Sequence, residues 1–144
     1  MLRLDLGPFA VHVPAGWEDI TDVVQADAPP YTLARRDGVG ALQFSIALYK
    51  SGRVPNPTAG ELQKMVETFG VERRLGEASE FVTETGPPVL AAGTFKQGGD
   101  SVRVWRVSDG RNFALVTYTC AARDVGPELV VCEDIVRSIE FRAG

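Results

Sequence analysis

With two cysteines and one histidine in 144 residues, the chain lacks the raw material for several kinds of chemistry. Cys120 and Cys132 stand twelve positions apart, in no CxxC pair and at no spacing that suits zinc, so neither a disulfide scaffold nor a thiolate metal site is expected. A hydrolase needs a nucleophile beside a base that accepts its proton near neutral pH. His12 lies in an apolar strand with no serine or cysteine close by in sequence, and reads as a structural side chain. No GxSxG elbow, HExxH helix, GxxxxGK[ST] loop or calcium-loop ladder occurs, and Gly38-Val39-Gly40 leads into a strand rather than the helix N-terminus that a dinucleotide site requires. No catalytic residue, metal site or cofactor is expected.

Long apolar runs are missing too. None approaches the roughly 20 residues that cross a bilayer. The start, Met1 to Leu6, is broken by Arg3 and Asp5 and does not read as a signal peptide, which makes a cytoplasmic protein the expectation. Basic excess is absent: 15 basic against 19 acidic side chains leave a net charge of −4, with the arginines scattered among carboxylates. A nucleic-acid partner, which demands a concentrated basic face, is not expected.

What remains is 44% hydrophobic and 24% charged residues, enough for a single domain over residues 1–144 with an ordinary core. Phe9 to Val13 alternates as a strand, and Pro14-Ala15-Gly16-Trp17 turns a large aromatic back against it. Glu18, Asp19, Asp22 and Asp27 make the next stretch an acidic, solvated one that ends at Pro29-Pro30. Tyr31 to Arg36 and Ala41 to Lys50 read as a hairpin around Asp37-Gly38. Thr58 and Glu61 have capping-box spacing ahead of an apolar stripe, Leu62, Met65, Val66 and Phe69, and Gly70 is placed to end that helix. A meander follows: Glu80–Glu84, Pro88–Gln97, Asp100–Ser108 and Arg111–Cys120, jointed at Gly98-Gly99 and Asp109-Gly110. A helix from Pro127 carries Leu129, Cys132, Ile135, Val136 and Ile139 inward, leaves Glu133 and Asp134 wet, and runs into a last strand, Ser138–Phe141. The fold class is α+β, an antiparallel sheet meander with two helices available for its two faces.

Two-residue turns at both joints fix a register. Trp105 then lies opposite Ala92 on one side and Ala114 on the other, and Arg103 lies opposite Val116. One sheet face collects Phe95, Val102, Val104, Phe113 and Leu115 as core. The other collects Arg103, Trp105, Val107 and Tyr118. Two readings of that second face stand side by side: a helix covers it, with Arg103 bonded to an acid or carbonyl of the helix, or it is a partly open Trp/Tyr/Arg surface of the composition enriched at interface centres.

The opening Phe9-Ala10-Val11-His12-Val13-Pro14-Ala15-Gly16-Trp17 resembles the "strand, Pro, small, Gly, Trp" entrance of Mog1/PsbP-like proteins, and Asp134 to Phe141 resembles their closing helix and strand. The resemblance implies a Mog1/PsbP-like α/β/α sandwich. It also implies a family of scattered roles, few enzymatic, among them a nuclear-transport GTPase-binding protein, a photosystem extrinsic subunit, bacterial envelope proteins and immunity-like proteins of toxin systems; the last are closest in character to a small acidic chain. The expected function is therefore non-enzymatic protein binding, most sharply an immunity-type protein that blocks a bacterial toxin. The candidate contacts are Trp17, Glu18, Asp19, Asp22 and Tyr31, or else Arg103, Trp105 and Tyr118. The alternative is a carrier whose cleft, lined by Met65, Phe69 and Trp105, holds an apolar molecule or lipid.

Overall fold

Every strand pairs antiparallel with its neighbours, some through short turns and others across long connections. The structure, a computed structural model, describes residues 1–24 and 27–142. Strands β1 (Leu2–Asp5), β2 (Phe9–Val13) and β10 (Glu140–Phe141) form a small sheet in the order β1-β2-β10. Seven strands form the main sheet: β3 (Trp17–Asp19), β4 (Tyr31–Arg35), β5 (Gly40–Ala47), β6 (Ser79–Glu84), β7 (Val89–Gln97), β8 (Asp100–Ser108) and β9 (Phe113–Ala121), in the order β3-β4-β5-β9-β8-β7-β6. Helix α1 (Ala59–Glu72) packs on one face of it. Helix α2 (Pro127–Arg137) and strand β2 pack on the other.

The α1 start is as its sequence dictates. The Thr58 hydroxyl accepts from the Glu61 amide at 3.1 Å while the Glu61 carboxylate accepts from the Thr58 amide at 3.0 Å. Leu62, Val66 and Phe69 are buried against Ala91, Phe95, Val102 and Val104, with Met65 at the margin. The helix end differs from expectation. Gly70 does not terminate the helix, which continues to Glu72 and stops where Arg74 takes φ 56°. Glycine is required at position 70 for closeness instead: a Cβ there would lie 2.3 Å from Phe95 Cε1 and 3.0 Å from the Gly76 carbonyl oxygen.

That contact sets two effects against each other. Helix propensity favours alanine over glycine by roughly 0.5–1 kcal/mol, whereas overpacking a filled core costs about 1–3 kcal/mol. Gly70→Ala is expected to lower the denaturation midpoint, with a net loss of about 1–2 kcal/mol, and Phe95→Leu in the same chain is expected to return part of it. A stabilised Gly70→Ala protein would show the packing to be looser than described.

The β7–β8 register follows the Gly98-Gly99 turn as expected, with Trp105 opposite Ala92 and Val102 opposite Phe95. The β8–β9 register differs by two residues: Trp105 faces Val116 rather than Ala114, and Arg103 faces Tyr118 rather than Val116. Asp109-Gly110 is half of a four-residue loop, because the Asp109 carboxylate accepts from the Arg111 and Asn112 amides at 3.0 and 2.8 Å and so builds a wider turn than two residues allow. A slip of two keeps each side chain on its face. Phe95, Val102 and Val104 accordingly lie beneath α1, and Trp105, Val107, Val116 and Tyr118 lie beneath α2 and β2.

Candidate functional site

Three places collect polar or aromatic side chains. The first is the Arg103/Trp105/Tyr118 face, and it is interior: Arg103 is 5%, Trp105 0% and Tyr118 2% exposed. These three residues offer a partner no surface, which corrects the open-surface reading. The reason is a carboxylate on α2. Glu133 accepts from the Trp105 indole N–H at 2.8 Å and from Arg103 Nε at 3.2 Å. Arg103 Nη1 donates further to the Thr94 hydroxyl at 2.9 Å and to the Glu80 carbonyl at 2.7 Å, which pins the irregular start of β6, where Glu80 takes φ 53°. Glu133 is therefore not on the wet side of its helix. Asp134, its neighbour, is exposed and pairs with Arg137.

A second α2 carboxylate does a similar thing one turn earlier. Glu128, buried in the first turn of α2, accepts from the Tyr118 hydroxyl at 2.9 Å and from the Gly40 and Val39 amides at 3.2 and 3.3 Å, with Arg35 Nε at 3.6 Å. The positive end of the helix dipole favours a carboxylate at this place. The amide pair of the Gly38-Val39-Gly40 turn thus holds an internal carboxylate. A Cβ at Gly38 would meet Glu128 Oε2 at 2.7 Å, and one at Gly40 would meet the Thr119 carbonyl oxygen at 2.6 Å. Burial, and then the hydrogen bond and charge of Glu128, push the Tyr118 hydroxyl far above its ordinary range.

Both thiols are free, buried and part of the same core, and burial raises the pKa of each. The folded protein keeps these protons while an unfolded chain gives them up above about pH 8.5. The folded-state pKa values are raised, so stability is intact below that pH and declines above it. The slope approaches about 1.4 kcal/mol per pH unit for the fully buried Cys132, with a smaller contribution from Cys120. Urea midpoints measured at pH 8 and pH 10 should differ accordingly, and a Cys120→Ala/Cys132→Ala protein should show a shallower decline.

The second place is the sequence-predicted acidic edge. Trp17 is 6% exposed and belongs to the core, so it too is unavailable as a contact. Tyr31 is half-buried and edge-on to Phe9 at 5.3 Å. Glu18 is exposed but pairs with Arg36 at 3.0 Å, and the Asp19 carboxylate accepts from the Thr21 amide at 2.9 Å and from its hydroxyl. Asp22 is exposed in a single 3-10 turn, Thr21–Val23. Most of this charge is answered locally. His12, on β2, is half-exposed with Nε2 3.5 Å from Glu140. The fold brings Ser138 to its backbone, where the serine hydroxyl donates to the Ile135 carbonyl at 2.6 Å and accepts from the His12 amide at 2.8 Å rather than meeting the imidazole. Among the described residues, no three of His, Cys, Asp and Glu come together as a metal-holding group.

The third place escaped the sequence. Between α1 and β6 runs a groove of about 310 Å³ lined by Glu67, Val71, Gly76, Glu77, Ala78 and Phe81. Its apolar members stand in solvent, Val71 75% and Phe81 38% exposed. The expected carrier cleft does not form, because Met65 and Phe69 pack under α1 while Trp105 lies on the opposite face of the sheet.

No protein-family model and no curated protein matches the sequence. Solved structures match in fold. A crystal structure from Bacteroides thetaiotaomicron VPI-5482 superposes with a TM-score of 0.56 at 16% identity, over 94% of this chain and 45% of that one, so this chain spans less than half of that protein. The solution structure of cyanobacterial PsbP (CyanoP) from Synechocystis sp. PCC 6803 superposes with a TM-score of 0.57 at 12% identity, over 94% of this chain and 87% of that one. At these identities the likeness is one of architecture: the chain has a PsbP-like α+β fold, two helices packed on a seven-stranded antiparallel sheet.

Proposed function

We propose that the protein is a non-enzymatic protein-binding module whose contact surface is the α1–β6 groove, and in its sharpest form an immunity-type inhibitor that covers a basic bacterial toxin. The observation that carries this reading is an exposed apolar floor, Val71, Ala78 and Phe81, set between the carboxylates of Glu67 and Glu77. Exposed aliphatic and aromatic side chains gathered in one groove with a polar rim are the composition of a recognition site. The acidic β3 edge is the weaker candidate, since Arg36 and Thr21 already answer Glu18 and Asp19.

The rim charge and the net charge of −4 select the occupant, an extended segment of a basic protein that places an aliphatic side chain on the floor and lysine or arginine over the two glutamates. Side chains rather than a strand ladder make this contact. The β6 edge is bulged between Ser79 and Val82, and Arg103 takes the Glu80 carbonyl.

The test places a photo-crosslinking phenylalanine analogue at position 81 in the native host, with a second at position 22. A basic protein should be captured from position 81 and not from position 22. Its affinity for the purified protein should fall at least tenfold on Val71→Asp while the melting temperature holds. Where that protein is toxic to cells, co-expression should restore growth with the native chain and not with the Val71→Asp chain. Capture from position 22 alone, or a Val71→Asp protein that binds unchanged, overturns the reading.

A further inference from the structure

Helix α1 does not cover the whole of its sheet face. It packs chiefly over β6, β7 and β8, with Phe113 and Leu115 of β9 at its margin, and leaves the β5 side of the same face less covered, where Gln43 lies opposite Thr117 and Ser45 opposite Leu115. Two depressions of about 130 and 200 Å³ on this side share Gln43, Phe69, Arg73 and Thr117, and so form one groove along the flank of α1 away from β6. Its lining mixes the hydroxyls and amide of Gln43, Ser45, Thr117 and Thr119 with apolar Leu115 and Val102.

Arg73 lines this groove, and Arg106 lies near it, within reach of the charges of Glu72 and Arg73. Arg106 projects from β8 beside Leu115, which lines the groove. It is half-buried, its Nε is buried with no hydrogen-bond partner, and no carboxylate stands within ion-pair distance of it among the described residues. Arg103, two residues earlier on the same strand, donates to a carboxylate, a hydroxyl and a carbonyl. Arg73, at the end of α1, lies over the Phe69 ring at 4.5 Å and likewise has no ion pair among the described residues. Burial depresses the pKa of Arg106; the charge of Glu72 works against that depression and the charge of Arg73 adds to it. A half-buried cation that burial penalises and a second cation disfavours is a place prepared for an anion. Guanidinium groups are the side chains best shaped to hold carboxylate or phosphate oxygens.

We propose that this groove is an oxyanion-binding site in which Arg73 and Arg106 hold a phosphate or carboxylate group of a small ligand, with the Thr117 and Ser45 hydroxyls and the Gln43 amide completing its hydrogen bonds. The site is separate from the α1–β6 groove and stands whether or not that groove binds protein.

The probe is inorganic phosphate, with acetate in a parallel arm and chloride at matched ionic strength as the control, followed by amide chemical shifts. Phosphate or acetate should shift Leu115, Thr117 and Gln43 together and saturably, and the arm that saturates first names the oxyanion class. Arg73→Gln, at an exposed position, should weaken the response at least fivefold, and Glu72→Gln should strengthen it. Arg106→Met should abolish it while raising the melting temperature of the unliganded protein, since an unpaired charge has been removed. Shifts that stay linear in both arms, that match the chloride control, or that persist unchanged in Arg73→Gln overturn the proposal.

Discussion

Glu133→Ala is expected to destabilise the protein by about 3–5 kcal/mol, the range for breaking a buried ion pair by removing one partner. The large figure comes from what is left behind rather than from the glutamate itself. Arg103, 5% exposed, would keep its charge with only neutral acceptors, the Thr94 hydroxyl and Glu80 carbonyl, and the Trp105 indole N–H would face a void where its acceptor stood. Glu133→Gln should cost less, because an amide oxygen can still accept from the indole. Replacing both charged partners, Arg103→Met with Glu133→Leu, should recover much of the loss, since an apolar pair of similar volume avoids desolvating two charges. Urea denaturation of the native protein and these three variants checks the set, and a double variant no more stable than Glu133→Ala would contradict it.

Glu128→Ala should cost about 3 kcal/mol by a different route, since each buried donor left unpaired costs about 1–3 kcal/mol. Tyr118 loses its acceptor in the core, and the Val39 and Gly40 amides lose theirs at the hairpin turn. The turn amides can reach water and the Tyr118 hydroxyl cannot, so most of the cost should sit in one pair. Tyr118→Phe should accordingly cost less than Glu128→Ala, and the two together less than their sum, in a denaturation cycle. Faster amide exchange at Val39 and Gly40 in Glu128→Ala would report the release of the hairpin from α2.

These two glutamates also mark where the sequence stopped being readable. The apolar stripe of α2 was legible, and Leu129, Cys132, Glu133 and Val136 fall at i, i+3, i+4 and i+7, which sets a carboxylate at the inner edge of that stripe. Arg103 and Trp105 on the facing strand have one donor set each that needs an acceptor. Joining those needs reveals Glu133 as interior, but only after the sheet face is known to lie under α2. Glu128 had no such partner in sequence, because Tyr118 and the Gly40 turn reach it from separate strands.

Turn chemistry explains the register in the same way. Gly98, at φ 62°, allows a two-residue bend, and the β7–β8 pairing follows from it. Asp109 brings a side chain that competes for the Arg111 and Asn112 amides, and Asn112 in turn accepts from the Tyr49 amide at 2.7 Å, a partner some sixty residues away that the local pattern could not supply. The α1–β6 groove was invisible for a related reason. Val71 and Phe81 read as ordinary apolar residues of a helix and a strand, and only the fold shows both uncovered on one groove.

The aromatic and cationic face of β8 is the inside of the molecule, fastened by Glu133. Hydrogen exchange of the Trp105 indole N–H, followed by nuclear magnetic resonance after transfer to deuterated water, tests this most directly. The account predicts an indole proton that persists for hours in the native protein and exchanges far faster in Glu133→Ala. Exchange of the native Trp105 indole at the rate of a free indole would contradict it and return that face to the surface.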